Sequence, residues 1–437
     1  MEKIKLGDVC KIITKGTTPT TIGEKFSDCG KINYVKSESL TDDKYLNSSI
    51  FEHITEKTHE KLKRSQLKEN DLLFSIAGAY LGKIGVVRNC DLPLNTNQAV
   101  GIVRIDETKA DYNYIYYFFS QPVIKNYIKS LSTQSAQPNI NLELLSNLTF
   151  TNFNLEMQKK ISSVLSILDE KIFINKKINA TLEAMAKTLY DYWFVQFDFP
   201  DENGKPYKSS GGKTIFNAEL GREIPDGWQV KTLDFLIKSS KNGDWGKAEP
   251  DEKHTHKVIC LRGADFPAIN GYETLNAPVR YISEKNIDRI LDDGDIIIEI
   301  SGGSPTQSTG RACYINSGTI KRFETDITTS NFCKSLTMNA KENMYYFYLM
   351  WTDLYNNGIL FNFEGKTTGI KNLLFDVALK SIKTALPKQS LLKKFDNQVA
   401  NFFQMIQKNN QENQSLANLR DFLLPLLMNG QVGLKEE

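Results

Sequence analysis

Two stretches of this chain carry one and the same seam. The first runs Ile161, Leu165, Leu168, Ile172, Asn175, Asn179, Leu182, Ala186, Leu189, Trp193, and its steps alternate between four and three residues without a slip. The second runs Phe395, Val399, Phe402, Ile406, Asn409, Asn413, Leu416, Arg420, Leu423, Leu427, and matches it position by position. Alternating 4-3 spacing held over this length predicts coiled-coil helices. Each seam follows a long segment of ordinary globular composition. A chain built this way is expected to be two-headed, with a measured gap between its heads. The seam from 161 to 193 spans roughly 48 Å at about 1.5 Å per residue. That arrangement suits a protein that reads two separate places on one linear target.

The Asn pair in the middle of each seam sets the expected pairing. Helix seams tolerate some polar residues, and that is the plain reading. The sharper reading is register control, because an Asn in an apolar seam costs stability unless it meets another polar group. Asn175 and Asn179 lie symmetrically about position 177. With antiparallel helices, Asn175 faces Asn413 and Asn179 faces Asn409.

The globular segments repeat as well. Ile54-Thr55-Glu56-Lys57 returns as Ile282-Ser283-Glu284-Lys285. The run from Asn70 to Gly78 returns from Gly294 to Gly302, and each reads as a turn, an apolar strand and a Gly loop. Gly82-Lys83 is answered by Gly310-Arg311, and the aromatic stretch Tyr112 to Phe119 by Tyr345 to Trp351. Both aromatic stretches have a helical context, and Tyr112 to Phe119 is expected to be core rather than a base-stacking platform. The fold class predicted is α+β: two mixed α/β domains in a pseudo-twofold repeat, joined by two long antiparallel coiled-coil helices. The expected boundaries are 1–155, helix 156–193, linker 194–228, second domain 229–386, helix 387–428 and tail 429–437. The linker is polar and rich in helix breakers. Pro387 fits a helix start, whereas Pro425 is expected to end or kink the second helix.

Composition removes several function classes. No run approaches the roughly 18 apolar residues of a membrane span, and the N-terminus has no apolar core of a signal peptide. The expected location is cytoplasmic, with six scattered cysteines reduced. The net charge of +2 is small for a nucleic-acid binder. If DNA is the target, the basic groups must gather on one face or a partner must share the phosphate contacts. His254 and His256 lack a third ligand nearby, so a polar loop is preferred over zinc. A base-flipping adenine methyltransferase needs a Pro-Pro-containing loop, and the chain has no Pro-Pro dipeptide. Gly82-Lys83 continues with Ile84 and is not a phosphate loop.

Trp193-Phe194-Val195-Gln196-Phe197-Asp198-Phe199-Pro200, followed by Gly221-Arg222-Glu223-Ile224-Pro225-Asp226-Gly227-Trp228, resembles the inter-domain stretch of the specificity subunits of type I restriction-modification systems. So do Lys5-Leu6-Gly7-Asp8-Val9, Lys15-Gly16-Thr17-Thr18-Pro19, and Gln134-Ser135-Ala136-Gln137-Pro138-Asn139-Ile140, and in the second half Gly365-Lys366-Thr367-Thr368-Gly369-Ile370-Lys371. The resemblance covers the whole chain. It implies two target recognition domains, each reading one part of a split sequence in double-stranded DNA, with the helices as the ruler. It also implies docking of two methyltransferase subunits and, in a cleaving complex, two restriction subunits. This chain would be a non-catalytic subunit without cofactors, while S-adenosylmethionine, ATP and Mg would sit on the partners. An orphan adenine methyltransferase without nuclease, or a fused-type restriction enzyme, would use the same kind of subunit. Rivals from other classes are an enzyme with its own methyltransferase or nuclease, which the missing motifs oppose, and a coiled-coil scaffold. Only DNA recognition predicts binding that weakens steeply with salt.

The candidate DNA contacts are loop residues at matching places in the two halves. Lys15, Thr17 and Thr18 answer Lys241, Asn242 and Lys247. Tyr80 and Lys83 answer Gln307 and Arg311. Asn97 and Gln98 answer Thr329 and Asn331, and Gln134 and Gln137 answer Lys366 and Lys371. Lys and Arg suit phosphates, while Asn, Gln and Arg suit base edges.

Overall fold

The computed structural model describes residues 2–132, 139–271, 275–302, 307–366 and 371–432. The chain divides into two compact units. The first combines Met1–Ile172 with Ser415–Glu437, and the second is Phe173–Gln414. Each unit therefore holds one globular half together with parts of both long helices.

In the first unit, Cys10–Lys15, Val100–Ile105, Leu72–Ser75 and Ile84–Val86 form an antiparallel sheet in that order. Leu72–Ser75 is buried at every position, so it reads as a continuous apolar run rather than an alternating one. A second sheet orders Glu52–Ile54, Ile32–Val35 and Leu94–Thr96, the first pair antiparallel and the second parallel. Lys3–Lys5 pairs with Thr149–Thr151 and brings the two ends of the globular half together. The aromatic helix Tyr112–Ser120 is capped by Asp111, whose carboxylate accepts from the Tyr114 N–H at 2.8 Å. Tyr114 through Phe119 are all buried in the core, as the helical context predicts.

The second unit repeats these three sheets and adds another, in which Lys371–Leu373 pairs with Ser301–Gly302 and with Glu364–Lys366. Its four-stranded sheet runs Ile237–Asn242, Cys333–Met338, Asp295–Glu299, Ala312–Tyr314. Its three-stranded sheet runs Val279–Ser283, His254–Leu261, Asp326–Thr329, again one antiparallel and one parallel pair. Gln229–Thr232 with Lys383–Leu386 closes the ends. The turn before the central strand has positive φ in both units, at Asn70 (67°) and Gly294 (109°). Asn and Gly are the residues that reach that region at least cost. His254 and His256 pair with two different carboxylates, Asp251 and Asp326.

Leu155–Tyr190 and Gln389–Met428 are the two long helices. Within the second unit they run antiparallel. The Trp193 and Phe395 rings lie 5.6 Å apart, Asn409 Nδ2 donates to Asn179 Oδ1 at 2.8 Å, and Asn175 Nδ2 donates to Asn413 Oδ1 at 2.9 Å. Two further partners, unmarked in the seam, complete the polar layer: Asn179 Nδ2 donates to Asn410 Oδ1 at 2.7 Å and Asn175 Nδ2 to Glu412 Oε2 at 2.7 Å. The second helix also buries a face beside the seam. Phe403 packs among Tyr314, Tyr345 and Tyr348. Gln407 accepts from Arg322 Nη1 at 2.7 Å and donates to the Tyr314 hydroxyl at 3.0 Å.

Within the first unit the helices are tied by charge. Arg420 Nη1 lies 2.7 Å from Asp169 Oδ1, and the Tyr117 hydroxyl donates to Asp169 Oδ2 at 2.6 Å. Lys44, almost fully buried, donates to Ser166 Oγ at 3.0 Å on the same helix face. Burial alone would lower the Arg420 guanidinium's pKa, yet Asp169, then Asp421, carry it above its ordinary value. Burial pushes the Lys44 ammonium down to about 8 against the opposing pull of Asp169.

Three expectations need correction. Pro425 does not end the second helix, which continues to Met428. Only one turn follows it, and Leu424, Leu427 and Met428 are buried in the first unit's core, which holds that turn in place. Pro387 lies two residues before the helix start at Gln389 rather than inside its first turn. The stretch 194–228 is not a bare linker. Phe199 stacks on Tyr207 (4.6 Å) and on Trp228 (5.3 Å), and Thr214–Asn217 pairs with Arg222–Pro225 as a hairpin. Phe194, Phe197 and Phe199 enter the second unit's core, with Tyr207 and Trp228 packed against it, so its polar breakers shape turns on a packed segment.

Candidate nucleic-acid interface

In the first unit, the strand Cys10–Lys15 ends in a turn that lies on a second turn. The Gly16 N–H donates to Val100 O at 3.2 Å and the Thr17 N–H to Thr96 O at 3.0 Å. A Cβ on Gly16 would sit 2.1 Å from the Thr96 carbonyl oxygen, so glycine alone permits the approach. Side chains then lock the pair. Thr18 Oγ1 donates to Gln98 Oε1 at 2.8 Å, Arg64 Nη2 to Thr17 Oγ1 at 3.0 Å, and the Tyr34 hydroxyl to Thr17 O at 3.0 Å. Burial holds the Tyr34 hydroxyl's pKa well above its ordinary range, so it stays a donor. A third segment joins them: the Ile76 N–H donates to Ala99 O at 2.9 Å, the Ile140 N–H to Ile76 O at 3.0 Å, and Ala77 bridges Asn139.

The second unit assembles the same three segments. The Gly243 N–H donates to Cys333 O at 3.2 Å and the Asp244 N–H to Thr329 O at 2.7 Å. A Cβ on Gly243 would sit 2.1 Å from Ser330 O. The Ile300 N–H donates to Phe332 O at 2.8 Å and the Leu373 N–H to Ile300 O at 2.8 Å. The locking groups differ. Arg280 lies 4.4 Å over the Trp245 ring and donates to Trp245 O at 2.8 Å. Asn286 Nδ2 donates to Asp244 Oδ2 at 2.6 Å, and Arg289 Nη1 to Gly243 O at 3.1 Å.

These hydrogen bonds align the halves residue by residue and shift part of the expected matching. Lys15-Gly16-Thr17-Thr18 corresponds to Asn242-Gly243-Asp244-Trp245. Lys241 therefore falls one residue earlier, on the strand opposite Ser335, and Lys247 falls beyond the turn, where its backbone pairs with Tyr281. Asn97 and Gln98 correspond to Ser330 and Asn331. Thr329 is the counterpart of Thr96, and both are buried beneath the glycine turns. Lys83 and Arg311 do correspond, because the Ser75 N–H donates to Lys83 O at 2.8 Å and the Glu299 N–H to Arg311 O at 2.9 Å.

The candidate residues also differ in what already occupies them. Lys15, Gln98, Asn242 and Gln307 are exposed. Asn97 Oδ1 accepts from the Ala99 N–H at 3.2 Å and shapes its own turn. Tyr80 is exposed, with Lys83 Nζ 5.9 Å above its ring and 3.3 Å from Asp42. Arg311 donates twice to Glu299, at 2.9 Å each, and that carboxylate holds its pKa above the usual value. Its fork is thus committed within the unit. Lys371 lies 2.9 Å from Glu364 and 5.0 Å over the Phe361 ring. Lys366 pairs through its backbone with Lys371. Gln134 and Gln137 lie outside the described residues. Sequence reading missed Arg64, Trp245, Arg280, Asn286, Arg289 and Phe332. Aligning Gly16 with Gly243 would have drawn in Trp245 opposite Thr18.

Residues 1–184 match the family described as the type I restriction modification DNA specificity domain. Over 99% of its length the chain is 26% identical to the specificity subunit of the type I restriction enzyme MjaIX of Methanocaldococcus jannaschii, of which it covers 93%. It is 24% identical, over 68% of its length and 71% of the relative, to the specificity subunit of the type I restriction enzyme HindI of Haemophilus influenzae. Among solved structures, the S subunit of a type I restriction-modification system from M. genitalium superposes with a TM-score of 0.56 at 17% identity, covering 98% of this chain and 95% of that one. That likeness shows a shared fold. Among the described residues, no helix is long and apolar enough to cross a membrane.

Proposed function

We propose that the chain is a specificity subunit of a type I restriction-modification system, as its likeness to that family supports, and that it reads a bipartite target in double-stranded DNA, one block per unit. It carries no chemistry of its own in this reading. The methyl donor S-adenosylmethionine, and ATP and Mg where cleavage occurs, belong to partner subunits. The observation that carries the reading is the twofold occurrence of one three-segment constellation with different side chains at equivalent places: Thr17-Thr18 against Asp244-Trp245, Gln98 against Asn331. One scaffold with two sets of outward groups is what two unlike half-sites require. Methylome mapping in a host expressing this chain with its methyltransferase is expected to give two short blocks separated by a non-specific spacer. Exchanging residues 1–150 for those of a relative should change one block alone. A single continuous target would refute the reading, as would a change in both blocks.

Docking of two methyltransferase subunits, joined by two restriction subunits when the complex cuts, is supported by a second apolar line on the first long helix. Ile174, Ile178 and Met185 are all exposed within the second unit, and Thr181 fills the intervening 4-3 position. An amphipathic line of this spacing fits a partner helix. Ile174→Glu combined with Ile178→Glu should abolish co-purification of the methyltransferase and leave the circular dichroism of the chain unchanged. Retained co-purification would place the docking surface elsewhere.

A further inference from the structure

The middle segment of the interface presents an amide side chain followed by an apolar one in both units: Gln98-Ala99 in the first, Asn331-Phe332 in the second. Each amide oxygen is already engaged by the neighbouring glycine turn. Gln98 Oε1 accepts from Thr18 Oγ1 at 2.8 Å, and Asn331 Oδ1 accepts from the Trp245 N–H at 3.2 Å. With the oxygen end anchored, the NH2 end of each amide is the group turned away from the turn. The backbone of the next residue is anchored too. Ala99 O accepts from the Ile76 N–H, while Phe332 O accepts from the Ile300 N–H at 2.8 Å and the Ser301 N–H at 3.2 Å. Phe332 nevertheless leaves 57% of its surface in water. A single exposed phenylalanine is ordinary on a protein surface. A donor fixed beside an apolar group, built twice by different hydrogen bonds at the same place in a repeat, is not explained by chance exposure.

A donor next to an apolar surface is the complement of one base edge. In the major groove, thymine offers the O4 acceptor with the C5-methyl beside it, and no other unmodified base carries a methyl there. We propose that Asn331 and Phe332 read a thymine in the half-site of the second unit. Asn331 Nδ2 donates to O4 and the Phe332 ring packs on the methyl group. Gln98 and Ala99 read a thymine in the other half-site with a smaller apolar contact. This rests on the DNA-reading function proposed above and names the base that one turn selects.

The test uses the full chain in complex with its methyltransferase and duplexes of the methylome-mapped target. Thymines of the second unit's half-site are replaced one at a time by uracil, which keeps O4 and loses the methyl. One replacement is expected to weaken binding about fourfold, the value of one buried methyl group. Phe332→Ala should weaken binding to the unmodified target about tenfold and should no longer distinguish uracil from thymine at that position. Phe332→Leu, which keeps an apolar side chain, should retain part of the discrimination and serves if the alanine variant folds poorly. The proposal is overturned if the alanine variant still discriminates, if no uracil affects the wild-type complex, or if the half-site holds no thymine. A wild-type complex without any sequence preference would instead overturn the DNA-reading function itself.

Discussion

Asp169→Ala is expected to lower the stability of the first unit by about 3–5 kcal/mol, the usual cost of stranding a buried charge. Asp169 takes Arg420 at 2.7 Å and the Tyr117 hydroxyl at 2.6 Å, with the Lys44 ammonium on Ser166 one turn away. Without the carboxylate, the buried Lys44 and Arg420 lose their shared opposing charge, and Arg420 is left with the largely exposed Asp421 at 2.8 Å. Urea unfolding monitored on the full chain should show the loss as a separate early transition, because the second unit has its own core. Replacing both partners by leucine should recover most of the loss, since a well-packed apolar pair does as well as a buried ion pair. If the double variant is as unstable as the single one, the site works through packing and not charge. Lys44 adds a pH signature. Its folded pKa, about 8, lies below the unfolded value near 10.5. The unfolded chain therefore binds the extra proton between those values, and this group's penalty is relieved as pH rises through that window. Lys44→Met should remove that rise from the difference curve.

Matched insertion of four residues near position 177 and near position 411 is expected to lengthen the preferred spacer by roughly two base pairs, since four helical residues add about 6 Å and a base pair rises about 3.4 Å. Both half-sites should be kept. An insertion in one helix alone is expected to weaken methyltransferase assembly or folding. The pairs Trp193 with Phe395, Asn179 with Asn409 and Asn175 with Asn413 step in opposite directions along the two helices, and a one-sided insertion displaces some of them while fixing others. Asn has no apolar partner that would satisfy it, so the slipped register leaves buried amides unpaired. An active double insertion with an unchanged spacer would mean that partner subunits, and not these helices, set the distance.

What could be read before the structure follows from how local each signal is. The Asn pairs stood out because a 4-3 rhythm makes any polar residue in it visible, and the rhythm also fixes its partner once direction is assumed. Arg420 stood in the same rhythm, opposite Ala186 in the other copy, but its partner Asp169 lies off the seam and 251 residues away. No periodicity marks such a pair. Gln407 and Asn410 were passed over for a related reason. They are polar and off the seam, yet buried because the globular half supplies their hydrogen bonds. At the interface, the repeat was legible where the core constrains it, through Gly16 and Gly243, Asn70 and Gly294. It slipped by one or two residues in the loops, where composition diverges and only backbone hydrogen bonds fix the match. The stretch 194–228 misled because Pro, Gly and Ser outnumber its aromatic residues, while the aromatic residues carry the packing energy.

Each globular half begins and ends on one two-stranded ribbon, Lys3–Lys5 with Thr149–Thr151 and Gln229–Thr232 with Lys383–Leu386. Entry and exit of the polypeptide thus lie side by side at a short stem. A gene built from such cassettes can acquire a whole new reading head by one recombination event whose two crossovers fall in the stem. Point mutation would have to pass through variants that read neither the old block nor a new one. In the proposed reading, a lineage under attack by DNA that evolves to lose its target would diversify through the stem, whose backbone pairing and buried Phe150 and Ala385 are what must be inherited unchanged.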